Sequence, residues 1–520
     1  MISAISHLIR LGRAGVVFAR EGVLALPYQV PLPWSAQVAV KFARLIERPT
    51  GSSAEHRLST ALTRLGPAYV KLGQFFATRP DVVGMALARD LESLQDRMAP
   101  VPQAQAEAVV TAALGKPLNQ AYVSFGPAVA AASIAQVHRA EVVTPDGVKP
   151  AAVKVLRQDV ERRFRVDLEA FSFVAETAER FSAEARRLRL IETVETMRRS
   201  VAMEMDLRLE AAALSEMAEN TKNDPDFRVP TVDWDRTAKD VLTMEWIAGT
   251  PLNDRARLEA QGLDLPKLAA SVIQSFLRHA LRDGFFHADM HPGNLFVDAE
   301  GNLIAVDFGI MGRLGPKERR FLAEILYGFI TRNYRRTAEV HFEAGYVPAK
   351  HSIDDFAQAI RAIGEPIHKR TAEDISMAKL LTLLFEVTGL FDMRTRPELL
   401  LLQKTMVVVE GVARGLDPKL DMWTVAEPVV REWIERHLGP TGRIEDAAKG
   451  TLGFLAAVPS LLTRSAALVE HLDEITRDGL VLAPEIVEAM GKANTRIHRW
   501  TATALWAIVA LLVWIVWRVV

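Results

Sequence analysis

The chain predicts an α+β protein of two lobes, a small mixed unit followed by a larger, mostly helical one. Three observations carry this expectation. Strand-like patterns at Ser133 to Val143 and Ala151 to Val155 flank the turn Thr144-Pro145-Asp146-Gly147 and make a hairpin. Helical periodicity runs from about 158 to 220 and, after Pro251, to about 490. One strand-turn-strand island, Leu295 to Phe308, pivots on Asp298 to Gly301. A core stops growing at roughly 250–300 residues, so several units are expected. Turn signals at Pro31, Pro33 and Pro49 to Gly51 set off a leader, 1–54, expected to form an amphipathic helix. It does not read as a signal peptide, because Arg10, Arg13 and Arg20 break its apolar stretch and no small-residue cleavage site follows. A helical extension, 55–102, closes at Pro100 and Pro102. The small lobe is expected over 103–247, with Val229 to Ile247 as strand and connector, and the larger lobe over 248–430. A further helical region, 431–499, leads to an apolar end, 500–520.

Composition excludes several function classes. Lys plus Arg (63) against Asp plus Glu (64) gives a net charge of −1, which lacks the electrostatic footprint of a nucleic-acid binder. The chain has no cysteine, so disulfides, thiolate metal sites and cysteine nucleophiles are ruled out. The mean hydropathy of +0.08 is high beside 24% charged residues. Nearly all of that excess lies in the last twenty residues. Thr501 to Trp517 carries no charge and, at 1.5 Å per residue, spans about 25 Å. Lys492, Arg496, His498 and Arg499 precede it and Arg518 follows, so the positive-inside rule leaves the bulk of the chain in the cytoplasm. The alternative is a buried C-terminal helix. Leu452 to Val469 is also apolar, but Pro459 and Arg464 make it an in-plane or partner-packed helix rather than a second span.

The densest polar cluster is His287-Ala288-Asp289-Met290-His291-Pro292-Gly293-Asn294, followed by Asp307-Phe308-Gly309. The intervals Asp289 to Asn294 and Asn294 to Asp307 match a phosphotransfer layout. In it one Asp orients or deprotonates the acceptor, while an Asn and the Asp of a D-F-G hold Mg2+. Zinc on His287 and His291 is the competing reading, but Pro292 and Gly293 break the helix such a pair requires. His287 is expected to hold the loop through backbone hydrogen bonds. Lys154, on the second hairpin strand, supplies a cation for the α- and β-phosphates. A lysine on a half-buried strand needs a carboxylate partner. Glu204, Asp206 and Glu210 are the candidates; read as one helix, Asp206 and Glu210 share a face and Glu204 does not. A solvated helix face is the bland alternative for this run. No two glycines are separated by one residue, so neither a kinase glycine loop nor a dinucleotide fingerprint is present. At the equivalent place stand Ala130, Ala131, Ala132, Ser133, Ile134, Ala135, Gln136, Val137 and His138. Alanine does not share glycine's freedom at positive φ, so this loop should hold nucleotide differently and more rigidly.

That alanine-rich loop, with Lys71-Leu72-Gly73-Gln74, Glu204-Met205-Asp206 and the Asp289, Asn294, Asp307 set, closely resembles the UbiB family of atypical, protein-kinase-like proteins of ubiquinone biosynthesis. The resemblance runs from about Leu58 to Gly312. It implies a two-lobed protein-kinase-like fold whose N-terminal helical extension carries Lys71 and Gln74 and packs over the acceptor groove. It also implies that Glu204 and Asp206 meet the extension while Glu210 pairs with Lys154. Residues 130–138 would cover an adenine nucleotide, ATP or a relative, with Mg2+ on Asn294 and Asp307. The implied activity is that of an atypical kinase or ATPase at the bacterial inner membrane. The implied partners are quinone precursors or other membrane lipid, and other enzymes of ubiquinone synthesis; nucleic acid is not among them. A nucleotide-binding scaffold without required catalysis and an active protein or small-molecule kinase are the alternatives. Hydroxylation of a polyprenylphenol by this chain itself is not expected, because it has no flavin fingerprint. Met290 stands where the family usually has Pro, and Ala213 where it has Asn.

Overall fold

The computed structural model describes residues 2–23, 47, 57–77, 90–91, 94, 98–181, 186, 189–367, 387, 389–393 and 397–439. The chain divides into two compact units, Met1–Ile434 and Glu435–Val520, and the site described below lies in the first. The apolar segments 452–469 and 501–520 fall outside the described residues. Among the described residues no helix is long and apolar enough to cross a membrane.

The leader is a helix, α1 (Ile2–Arg20), that buries Ala14 and Ala19. The extension follows as α2 (Arg57–Leu65) and α3 (Pro67–Ala77), broken at Gly66, whose φ of 113° stops one helix where Pro67 starts the next. The small lobe opens with α4 (Gln103–Leu114), then β1 (Ser124–Ala131), β2 (Ala135–Thr144) and β3 (Gly147–Leu156). Three helices come next, α5 (Val160–Phe181), α6 (Leu190–Glu204) and α7 (Leu207–Asn220). The five-residue β5 (Val241–Glu245) completes the small-lobe sheet, and the two-residue β4 (Phe227–Arg228) ahead of it pairs in parallel with Leu303 and Ile304. The antiparallel sheet has the order β1-β2-β3-β5. Ala151, Val153 and Val155 on β3 point to one face and pack with Ala106 and Val110 of α4. Strand alternation therefore turns Lys154 to the opposite face, toward the cleft.

The expected hairpin is present, with Thr144 paired to Gly147 across its turn. Three expectations are corrected. The run 204–210 is not one helix: α6 ends at Glu204, and Asp206 caps α7 by accepting the Arg208 N–H at 3.1 Å. A short polar side chain at that point offers the backbone a cap in place of another helical turn. Strand β1 was not anticipated, because its Gly, Pro and Ala carry no apolar alternation. Nor were the three-residue strands Phe285–His287 and Met311–Arg313 of the larger lobe, which are too short for any period to register.

The larger lobe begins with β6 (Thr250–Pro251), α8 (Arg255–Ala260) and α9 (Leu265–Arg278), the last buried over most of its surface. A π turn (His279–Asp283) leads into β7 (Phe285–His287), β8 (Leu295–Val297), β9 (Leu303–Ala305) and β10 (Met311–Arg313). Gly284 joins the π turn to β7 at φ 65°, and a Cβ there would strike the Leu314 carbonyl oxygen, so only glycine fits. The helices α10 (Pro316–Ile330), α11 (Tyr334–Glu343), α12 (Ile353–Ile367), α13 (Pro397–Leu416) and α14 (Met422–Leu438) close the described chain.

Candidate active site

Two small ribbons present the polar cluster. The expected island is the hairpin β8-β9, with Leu295 opposite Ala305 and a turn in which Asp298 accepts the N–H groups of Glu300 and Asn302. This hairpin explains the thirteen-residue interval: the Val306 N–H donates to the Asn294 carbonyl at 3.1 Å, so Asn294 and Asp307 emerge at the same end. Antiparallel β7 and β10 form the second ribbon, extended by the Ala288 N–H bond to Ile310, which sets Asp289 beside the D-F-G.

Within this frame Lys154 donates to both Glu210 oxygens at 2.7 and 2.9 Å and reaches Asp307 at 3.3 Å. The lysine and Glu210 side chains are 12% and 7% exposed, so the pair is buried and charge-assisted. Burial disfavours the ammonium, but Asp307 and Glu210 outweigh it and hold Lys154 above the ordinary lysine value. Burial likewise pushes Asp307 upward, yet Lys154 and the Gly309 N–H prevail and lower its carboxyl to about 2. Glu210 is thus the partner of Lys154, the pairing the family resemblance implies.

Asn294 donates its Nδ2 to the Asp289 carbonyl at 3.1 Å and to the Asp289 carboxylate at 3.2 Å. Both partners are acceptors, which fixes the amide orientation and leaves Oδ1 without a donor among the described residues. That free oxygen and the half-exposed Asp307 carboxylate are hard donors of the kind Mg2+ takes, with phosphate and water completing the shell. Among the described residues no group of three or more His, Asp or Glu side chains could hold a metal alone. His287, the last residue of β7, and His291, in the loop that follows, accept the N–H groups of Asp289 and Gly293, so both serve the backbone.

The alanine-rich segment is the β1-β2 turn. Ala132 donates to the Ala135 carbonyl at 2.8 Å, and none of residues 130–138 has a positive φ. Ala130, Ala131, Ala132 and Val137 remain accessible, whereas Ser133, Ile134, Ala135, Gln136 and His138 are buried. Gln136 and His138 therefore hold the turn from beneath. The Val101 N–H donates to Gln136 Oε1 at 2.9 Å, the Gln136 amide contacts His138 Nε2 at 2.8 Å, and His138 Nδ1 meets the Gly126 carbonyl at 2.8 Å. Burial lowers the His138 pKa, which suits a neutral ring donating through Nδ1. His138→Phe is expected to orphan the Gly126 carbonyl and the Gln136 amide and to cost about 1–3 kcal/mol, measured by chemical denaturation.

Among the described residues the extension meets the small lobe through α3 and again through its exit. Lys71 on α3 pairs with Glu204 at 2.7 Å, and Tyr69 packs edge-on against Phe171 of α5. Gly73 lets α3 close on Leu62, Leu91 and Leu94, where a Cβ would clash. Gln74, half-buried on the same helix, follows Lys71 by three residues. Asp206 is not brought to the extension among the described residues: its carboxylate takes the Arg208 guanidinium at 2.6 and 2.8 Å. The contact through the exit was missed in the sequence. The Met98 N–H donates to the Ala131 carbonyl at 3.1 Å, and the Arg157 guanidinium bridges the carbonyls of Ala132 and Ala99, both at 2.9 Å. No motif advertises such backbone contacts.

Residues 93–341 match the ABC1 atypical kinase-like domain and residues 360–421 the UbiB helical domain. The chain is 38% identical over 463 residues to "Probable protein kinase UbiB" of Marinobacter nauticus, covering 88% of this chain and 84% of that protein. It is 38% identical over 460 residues to the protein of that name in Azotobacter vinelandii, covering 87% and 82%. Among solved structures, the Mycobacterium tuberculosis protein Rv3197, determined in complex with erythromycin, superposes with a TM-score of 0.51 at 24% identity, covering 76% of this chain and 97% of that one. That likeness speaks for the fold alone. The relatives carry the assignment, and with the kinase-like core and the helical domain both matched, this chain belongs to the UbiB family of atypical kinase-like proteins.

Proposed function

We propose that this protein is a membrane-associated atypical kinase or ATPase that binds an adenine nucleotide with Mg2+ and supports ubiquinone biosynthesis. The observation that carries the reading is the ion-pair set Lys154, Glu210 and Asp307 closing beside the free Oδ1 of Asn294. Asn294 and Asp307 would hold Mg2+, which when bound supplies charge neutralisation at the phosphates. Lys154, fixed by Glu210, presents its ammonium to the α- and β-phosphates. The Ala130 to Ala132 turn lies over the nucleotide. Asp289 keeps one carboxylate oxygen on Asn294 and offers the other to the hydroxyl or water that attacks, orienting it and accepting its proton. The pair Lys71 and Glu204 holds the extension on the small lobe, which favours a restricted acceptor over an open protein-substrate groove. The apolar run 501–520 would supply the membrane tether, and quinone precursors or the enzymes that modify them are the proposed partners.

Calorimetric titration of the full-length protein with ADP tests the site. Binding is expected to require Mg2+ and to weaken by roughly tenfold or more in Asp307→Asn, the scale of a lost charge-assisted contact. Binding indifferent to both Mg2+ and Asp307 would refute the reading. Quinone profiling of a deletion strain tests the pathway, since an unaltered profile removes the link to ubiquinone.

A further inference from the structure

The ribbon β7-β10 that presents Asp289 is only three residues long, and a two-stranded ribbon of that size cannot hold its own geometry in water. Buried Phe285 and Phe286 anchor one strand by their side chains, but the backbone needs fixing too. Two side chains from the helices beyond the kinase-like core supply it. Thr405 on α13 is fully buried and donates its hydroxyl to the Ala288 carbonyl at 3.1 Å, one residue before Asp289. The same proton is shared with the Leu401 carbonyl of its own helix at 2.8 Å. The Ala288 carbonyl has no other donor among the described residues. Trp433 on α14 donates its indole N–H to the Leu281 carbonyl at 2.8 Å, in the π turn just ahead of β7. One donor thus holds the backbone before the strand and the other holds it after.

We propose that Thr405 and Trp433 are positioning residues for Asp289, a clamp by which the C-terminal helices α13 and α14 set the catalytic loop. A serine or threonine in mid-helix ordinarily bonds back to its own helix. Here the hydroxyl also serves the residue that precedes the candidate base, in a place where a small displacement of the carboxylate is costly to the reaction.

The inference rests on the phosphotransfer reading, and the test separates the two. In the full-length protein Thr405→Val keeps the shape and removes the donor. Turnover is expected to fall on the order of tenfold with the nucleotide dissociation constant unchanged, and the amides from Asp289 to Asn294 are expected to exchange on the order of tenfold faster. Thr405→Ser should restore both, because it returns the hydroxyl. Trp433→Phe should shift exchange in the same segment and in the same direction, which keeps the test open if Thr405→Val does not fold. Exchange and turnover at the wild-type level in Thr405→Val would overturn the clamp, as would a loss that Thr405→Ser fails to restore. A wild-type protein without any turnover would sink the phosphotransfer reading instead, and the exchange measurement would still decide whether the clamp exists.

Discussion

Asp289→Asn is expected to lower nucleotide turnover by roughly 10²- to 10⁴-fold, the range over which a positioned general base acts, while leaving nucleotide affinity within about twofold. The side chain is exposed and isosteric with its replacement, and the Asn294 Nδ2 can still donate to an amide oxygen at that place. Folding is therefore not at stake, and neither is the Mg2+ pair of Asn294 and Asp307. Phosphate release and ADP titration on the same preparation read the two quantities separately. Unchanged turnover would remove Asp289 from the chemistry. Complementation of a ubiquinone-deficient strain adds a second decision. Rescue by the Asn variant would mean that the cell uses binding without hydrolysis, and failure would mean that it uses the reaction.

Lys154→Met should do what Asp289→Asn does not and damage the fold as well as the site. Removing the ammonium leaves Glu210 buried beside Asp307 with no counter-charge, at a cost of about 3–5 kcal/mol. The double variant Lys154→Met/Glu210→Gln removes the orphaned charge and should regain most of that stability while nucleotide binding stays lost. The pH dependence has a definite sign. In the wild type Lys154 is raised above its unfolded value, so its contribution is fully present below about pH 10 and is lost as pH rises through the folded value. In Lys154→Met the uncompensated Glu210 is expected to take up a proton more readily folded than unfolded, so the variant gains relative stability as pH falls from 8 to about 5. Denaturation curves across that window check it, and a flat difference between variant and wild type would show that the pair is not coupled to folding.

An ion network on buried Asp224 ties the helix that carries Glu210 to the catalytic segment. Just beyond the end of α7, Asp224, 3% exposed, accepts the Arg282 guanidinium at 2.6 Å and His279 Nε2 at 3.2 Å. Arg282 also reaches the Asn220 carbonyl at 2.9 Å. Burial alone would raise the Asp224 carboxyl, but these donors hold it well below the usual carboxylate range. The π turn ahead of β7 is thereby fixed to α7, and the position of Glu210 and that of Asp289 are set by one continuous body.

The site was legible to the extent that chemistry is carried by short intervals. Asp289, Asn294 and Asp307 could be named because a tight loop and a two-strand hairpin enforce their spacing, and Lys154 because a lysine amid Ala and Val on a strand has to be paired. Glu210 was one of three candidates from the residues alone, and only the family resemblance singled it out; the structure pairs it with Lys154. Asp206 caps a helix there, a competition between side chain and backbone that helical periodicity does not register.

Sequence by itself determined the two-lobed order, the hairpin, the polar loop and the apolar tail, because each depends on neighbours along the chain: alternation, turn residues and runs of like character. Only the tertiary structure decided which faces of the alanine-rich segment remain open and that its Gln136 and His138 look inward. It alone decided that the extension's exit is bonded to the Ala131 and Ala132 carbonyls, and that Thr405 and Trp433 meet a backbone more than a hundred residues away. Those contacts are made to carbonyl and amide groups, which every residue carries alike, so no side-chain pattern in the sequence could have announced them.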